Sequence, residues 1–228
     1  MRPEERIFVA LDTPERERAL DLAARLAGKV GGFKVGLEAF VALGPSIVHD
    51  IAASGLPVFL DLKLHDIPNT VAGAAASASR LGASFLTVHA LGGVEMMRRA
   101  VEAFPSASIL AVTILTSHDD ESLRRLGIAG PPGDAVARLS ALAKEAGTGG
   151  IVCSPLEIAG ARKAHPEATI VVPGIRPAGS AENDQARIAT PAAAVRAGAD
   201  RLVIGRPITQ AADPAAAAEE IAREIARG

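Results

Sequence analysis

Six consecutive residues, Asp61-Leu62-Lys63-Leu64-His65-Asp66, form the densest ionisable cluster at the C-terminal end of any apolar run in the chain. They emerge from an apolar run of strand length, residues 57–63. Side chains alternate across a strand, so Asp61 and Lys63 share one face while Leu60, Leu62 and Leu64 share the other. Two more charges sit in neighbouring runs: Asp12 ends residues 7–12 and Lys34 lies in residues 32–36. If these runs are adjacent strands, four charges of alternating sign converge at one end of the fold. Burying charge is costly unless it is paired and hydrogen-bonded, and four charges from three strands exceed what a structural pair requires. Carboxylates beside an amine favour its charged form, and an ammonium so placed can hand a proton to a developing carbanion. A carboxylate such as Asp61 repels an anionic substrate group beside it, and departure of that group as neutral carbon dioxide relieves the repulsion. Lys63 meanwhile favours negative charge appearing at the carbon. The residues by themselves fit decarboxylation, and they fit aldol or enolisation chemistry through the same carbanion logic.

The elements that must position these groups are legible as eight short apolar runs, residues 7–12, 32–36, 57–63, 84–89, 108–115, 149–154, 169–173 and 201–205. Most carry β-branched residues, as strands do. Between them lie Ala- and Leu-rich segments with charges at helical spacing, for example residues 15–26, 134–145 and 214–226. Alternation of this kind predicts a parallel sheet with crossover helices, and strands apolar on both faces agree with it. Eight units within 228 residues favour one closed (β/α)8 barrel domain over the rival open doubly wound sheet. In a barrel, chemistry gathers at the C-terminal strand ends. There the fourth run ends at His89, the fifth carries Thr113 and reaches Thr116, the seventh precedes Arg176 and the eighth leads into Arg206.

Residues 174–190 break the pattern, being rich in Gly, Pro, Ser, Asn and Asp without a clear period. A loop this long in a compact domain is usually functional or disordered, and it follows the seventh strand, where barrels often bind phosphate. It supplies Arg176 and Gln185. After the eighth run, Gly205-Arg206 offers a backbone N–H that an anion can approach closely and a charge-assisted donor.

Composition removes whole classes of function. A net charge of −2 without long single-sign runs argues against a nucleic-acid or polybasic membrane surface. A single cysteine, Cys153, allows neither an intrachain disulfide nor a CxxC metal site, and suits a reducing cytosol. The charged N-terminal residues lack a signal-peptide apolar region, and no uncharged apolar stretch reaches the roughly 18 residues of a membrane span. A cytoplasmic protein is expected. With no Trp or Tyr and six Phe, a flat ring in a pocket must be held mainly by hydrogen bonds and aliphatic contacts.

The stretch FLDLKLHDIPNT, residues 59–70, resembles the signature of the orotidine 5′-monophosphate decarboxylases, D-x-K-x-x-D-I-x-x-T. The likeness continues in order through ALD (10–12), FKVG (33–36), LTS (115–117), PGIRP (173–177) and IGRPIT (204–209). The resemblance implies a TIM barrel that converts orotidine 5′-monophosphate to uridine 5′-monophosphate, the last step of pyrimidine nucleotide synthesis, with neither metal nor organic cofactor. It implies Lys63 as proton donor to C6 of the pyrimidine, Asp61 facing the substrate carboxylate, Lys34 bridging the charge network and the ribose, and Asp12 on a ribose hydroxyl. Asp66, Ile67 and Thr70 match positions that the family inserts into the neighbouring subunit's site, which implies a homodimer with shared sites. Thr116 or its neighbour Ser117 resembles a pyrimidine contact. Arg176, Gln185, Gly205 and Arg206 match the phosphate-gripping set, with Gln185 also touching the pyrimidine.

Two rival readings share the scaffold. One is a metal-dependent sugar-phosphate aldolase or synthase, which can carry D-x-K-x-x-D; residues 67–70 and the loop from Arg176 to Gln185 favour the decarboxylase. The other is a non-catalytic nucleotide-binding barrel, which has little reason to bury Asp61, Lys63 and Asp66. His65 and His89 are given no catalytic role. His118-Asp119-Asp120 reads as a helix start capped by one of the aspartates, and Ser154 reads as a further helix cap.

Overall fold

The computed structural model describes residues 1–177 and 189–228. Its strands are β1 (Ile7–Ala10), β2 (Gly32–Gly36), β3 (Val58–Leu64), β4 (Phe85–His89), β5 (Ser108–Val112), β6 (Gly150–Val152), β7 (Thr169–Val172) and β8 (Arg201–Ile204). Each pairs in parallel with its successor, and β8 returns to β1, closing an eight-stranded barrel. The helices are α1 (Arg16–Leu26), α2 (Leu37–Leu43), α3 (Ser46–Ala52), α4 (Pro68–Ala78), α5 (Gly93–Ala103), α6 (Asp120–Arg125), α7 (Pro132–Ala146), α8 (Ile158–Ala164), α9 (Pro191–Arg196), α10 (Arg206–Thr209) and α11 (Pro214–Arg227). The (β/α)8 barrel is the architecture that the alternating sequence runs predict.

Period-two alternation divides the apolar side chains into two cores. Ile7 and Val9, Phe33 and Val35, Leu86 and Val88, and Leu202 and Ile204 face the helices. Phe8, Ala10, Phe59, Leu110, Val112, Val152, Val171 and Val203 fill the barrel interior. Three of the six phenylalanines plug that interior, with Phe85 meeting Phe8 edge-on at 5.8 Å and Phe59 at 6.4 Å. The Arg201 guanidinium lies over the Phe8 ring at 5.8 Å, a favourable use of the ring's negative face. Gly32 makes room for this plug, since a Cβ there would stand 2.5 Å from the Phe8 ring. The barrel is thus packed solid below its mouth, and the space left for a ligand lies above the plug, at the C-terminal strand ends.

Several local signals behave as their chemistry dictates. Pro occupies the first turn of α4, α7, α9 and α11, where its missing N–H costs no helical bond. The Asp119 carboxylate caps α6 by accepting from the Ser122 N–H at 2.8 Å, and Ser154 caps the short 3-10 turn Pro155–Glu157. Five strands, β1 and β5 to β8, stop short of the apolar runs that announce them. β1 ends at Ala10, two residues before Asp12, and β5 ends at Val112, before Ile114 and Leu115. Among the described residues no helix is long and apolar enough to cross a membrane.

Candidate active site

Inward-facing residues at the C-terminal ends of β1, β2 and β3 bring the expected charges together. Lys34 Nζ on β2 donates to Asp12 Oδ1 at 2.8 Å and stands 3.8 Å from Asp61 Oδ2. Lys63 Nζ donates to the same Asp61 Oδ2 at 2.8 Å. Asp12, Lys34, Asp61 and Lys63 therefore form one chain of alternating sign. Side chains of Lys34 and Asp61 are only 9% and 12% exposed, whereas Asp12 and Lys63 reach into the cleft at 46% and 31%. Ion pairs taken out of water contribute little net stability compared with apolar packing, so stability alone gives little reason for this arrangement. Gly36, at the end of β2, makes the first pair possible. A Cβ there would stand 2.5 Å from Lys34 Nζ and 2.6 Å from Asp12 Oδ1.

Lys63 has a backbone that sequence did not foretell. Its φ is +49°, the only positive φ among the described non-glycine residues. A left-handed conformation costs a side-chain-bearing residue about 1–2 kcal/mol. It coincides with a slip in the ladder: Leu60 pairs with Leu86 but Leu64 pairs with Val88, so β3 advances four residues while β4 advances two. Such bulges re-aim side chains and are common beside active sites. The Lys63 N–H donates to the Thr87 hydroxyl at 2.8 Å, and that hydroxyl donates to Asp61 Oδ1 at 3.0 Å.

Above the charge network lies a cleft of about 710 Å³. Asp12, Lys34, Asp61 and Lys63 line one side. Ala10, Phe59, Val112, Val152 and Val203 supply an apolar floor. Thr116, Arg176, Gly205 and Arg206, all named from the sequence, also line the cleft. Arg176 is buried, with its guanidinium donating to the Ile175 carbonyl at 2.9 Å, while Arg206 is exposed at the start of α10. A short helix after β8 is where barrels of this kind commonly hold phosphate. Gln185 lies outside the described residues.

Other expected positions stand apart. Thr113 is fully buried and donates to the Val152 carbonyl at 2.9 Å, a structural bond between β5 and β6. Ser117 is exposed. Asp66, Ile67 and Thr70 are exposed and do not line this chain's own cleft. The Asp66 carboxylate accepts from the Ile67 N–H at 2.6 Å as the chain enters α4. Cys153 lines the cleft but is buried, and desolvation pushes its thiol up to about 12, which leaves it unreactive at neutral pH. Thr87 and Gly36 were missed by sequence reasoning. The available signal for Thr87 was its position two residues before His89, which puts both on the inward face of β4.

His65 and His89 stack with ring centroids 5.5 Å apart, and neither lines the cleft. Burial, with further help from His65, Lys63 and His118, holds the His89 imidazole below its ordinary value of 6.5. The unfolded chain therefore binds a proton at His89 as pH falls below that value, while the folded chain does so only at lower pH. Stability from this source is undiminished above the unfolded pKa and is lost as pH falls toward the folded one. Thermal melts between about pH 7.5 and 5.5 should show a smaller acid loss for His89→Gln than for wild type. Equal losses would remove His89 as a source of acid sensitivity.

A closed barrel whose mouth holds alternating lysines and carboxylates beside two arginines has the make-up of an enzyme site. Comparison with known proteins gives it a lineage. The chain belongs to the orotidine 5′-phosphate decarboxylase / HUMPS family, whose pattern matches residues 5–221. It is 59% identical over 224 residues to the orotidine 5′-phosphate decarboxylase of Anaeromyxobacter dehalogenans, covering 97% of this chain and 99% of that one. It is 55% identical over 221 residues to the protein of the same name from Thermobifida fusca, covering 96% and 95%. Among solved structures, orotidine 5′-phosphate decarboxylase from Lactobacillus acidophilus superposes with a TM-score of 0.84 at 37% identity, covering 96% and 98%.

Proposed function

We propose that this chain decarboxylates orotidine 5′-monophosphate to uridine 5′-monophosphate, with Lys63 delivering the proton that replaces the departing carboxyl group. The observation that carries this reading is the Asp12–Lys34–Asp61–Lys63 chain at the barrel mouth. The family match and the named relatives support the substrate. With the pyrimidine on the apolar floor, its carboxylate lies against Asp61, already the acceptor of bonds from Lys63 and Thr87. The bond from C6 to the carboxyl carbon breaks and its electron pair stays on C6, in the ring plane, where the π-system cannot delocalise it. Carbon dioxide leaves uncharged, which ends its repulsion with Asp61. The Lys63 ammonium stabilises the charge at C6 and transfers a proton there, and the resulting amine regains a proton from solvent. This chemistry asks for no metal and no organic cofactor.

Lys34 and Asp12 take the ribose hydroxyls, and Thr116 the pyrimidine edge. Arg176, Gly205 and Arg206 take the phosphate, with residues 174–190 as its closing segment. Gln185, within that segment, has the same assignment by resemblance alone. Phosphate binding far from the reacting carbon lowers the barrier by orienting the ring and excluding water. Arg206→Ala should therefore fold normally and lose about 10- to 100-fold in kcat/KM. An unchanged kcat/KM would take Arg206 out of the site.

The chain works as a cytoplasmic homodimer in this reading. Leu37 and Val41 on α2, Ile67 at the start of α4 and Leu91 after β4 are exposed apolar side chains on successive connections at one end of the barrel. Exposed large apolar side chains on neighbouring connections fit an interface. The segment from Asp66 to Thr70 lies on one of these connections and would then enter the partner's site.

The rival metal-dependent sugar-phosphate chemistry is separated by a direct choice of substrates. Chelator-treated protein should consume orotidine 5′-monophosphate and leave a ketose phosphate untouched, with added magnesium changing neither result. Aldol turnover that appears with magnesium, without nucleotide decarboxylation, would replace this reading.

A further inference from the structure

We infer that Thr87 is a positioning residue, whose single hydroxyl sets both the Asp61 carboxylate and the strained Lys63 backbone. The inference rests on the assignment of Asp61 and Lys63 as the reacting pair. Thr87 lies in the middle of β4 and is fully buried. A hydroxyl has one proton to donate and lone pairs to accept with, and both capacities are used. It donates to Asp61 Oδ1 at 3.0 Å and accepts from the Lys63 N–H at 2.8 Å. The two ends of this bridge are two residues apart on the neighbouring strand.

The bridge answers two separate needs. Asp61 Oδ2 is committed to Lys63 Nζ at 2.8 Å, with Lys34 Nζ at 3.8 Å. Without Thr87, Oδ1 would lose its bond and the carboxylate could rotate about its own axis, carrying Lys63 Nζ with it. Lys63 itself sits at φ +49° where the β3–β4 register slips. A strained conformation persists only when surrounding bonds over-determine it, and the slip leaves the Lys63 N–H facing a side-chain acceptor. Thr87 thus replaces a ladder bond by one that also reaches the reacting carboxylate. Its methyl group adds packing, but the hydroxyl makes both bonds.

Three variants test this: Thr87→Val removes the hydroxyl at nearly constant shape, Thr87→Ser keeps it without the methyl, and Lys63→Ala serves as reference. Thr87→Val is expected to lose about 10- to 100-fold in kcat with KM for orotidine 5′-monophosphate nearly unchanged, because the groups assigned to ribose and phosphate are untouched. Thr87→Ser is expected to recover most of that loss. Wild-type kcat in Thr87→Val, or a Thr87→Ser no better than Thr87→Val, would overturn the inference. Should Thr87→Val fail to fold, exchange of the Lys63 amide in the wild type decides. Slow exchange is expected, and exchange at the rate of an open amide would overturn it. A fully active Lys63→Ala would instead bring down the underlying site assignment, so the two failures are distinguishable.

Discussion

Lys63→Ala is expected to fold like the wild type and to lose at least about 10⁴-fold in kcat, a drop that combines the loss of a proton donor with that of the cation nearest the developing charge. Folding should survive because Lys63 is partly exposed and leaves behind an Asp61 that still has Thr87 and Lys34 as neighbours. Truncation also leaves the backbone N–H of residue 63 and its bond to Thr87 in place. Steady-state turnover of orotidine 5′-monophosphate together with a thermal melt checks both halves. Activity within tenfold of wild type in a folded variant would sink the assignment of Lys63 as donor.

The second large effect belongs to Asp66. Its carboxylate is exposed and turned to the Ile67 N–H rather than to its own chain's cleft. If it acts across a two-fold interface, Asp66→Ala alone should be nearly inactive, with a loss of about a thousandfold. Mixed with equally inactive Lys63→Ala, it should regain activity. In a closed two-fold dimer, random exchange of equal amounts makes about half the dimers mixed, each with one intact site, so about a quarter of all sites recover. Kinetics before and after subunit exchange read this directly. No recovery after demonstrated exchange would place Asp66 in its own chain's site or outside any site.

The barrel was readable because its strands are buried on both faces and its helices are not. Apolar runs and charged helical spacings therefore alternate cleanly along the chain. The charge network was readable for a related reason: Asp12, Lys34, Asp61 and Lys63 are ionisable residues in segments that otherwise exclude them. Strand ends were less legible. Ile114 and Leu115 extend an apolar run beyond β5 because they line the cleft, so hydropathy continues where the ladder stops. The short helices α2 and α10 gave no periodic signal over seven and four residues. The left-handed turn at Lys63 could not be foreseen, because lysine has no preference for that region and the acceptor of its N–H lies on another strand, in Thr87. Thr87 itself looks like an ordinary β-branched strand residue until its two bonds are seen. The roles of Ile67 and Thr70 come from resemblance alone, since a single chain shows only that they are exposed.

The central claim is that this barrel takes carbon dioxide from the nucleotide and returns a proton to the same carbon using its own side chains. It is tested most directly by incubating chelator-treated protein with orotidine 5′-monophosphate in heavy water and analysing both products. Equal amounts of carbon dioxide and uridine 5′-monophosphate, with deuterium at C6 of the pyrimidine, are the predicted result. Folded protein that releases no carbon dioxide under these conditions would contradict it.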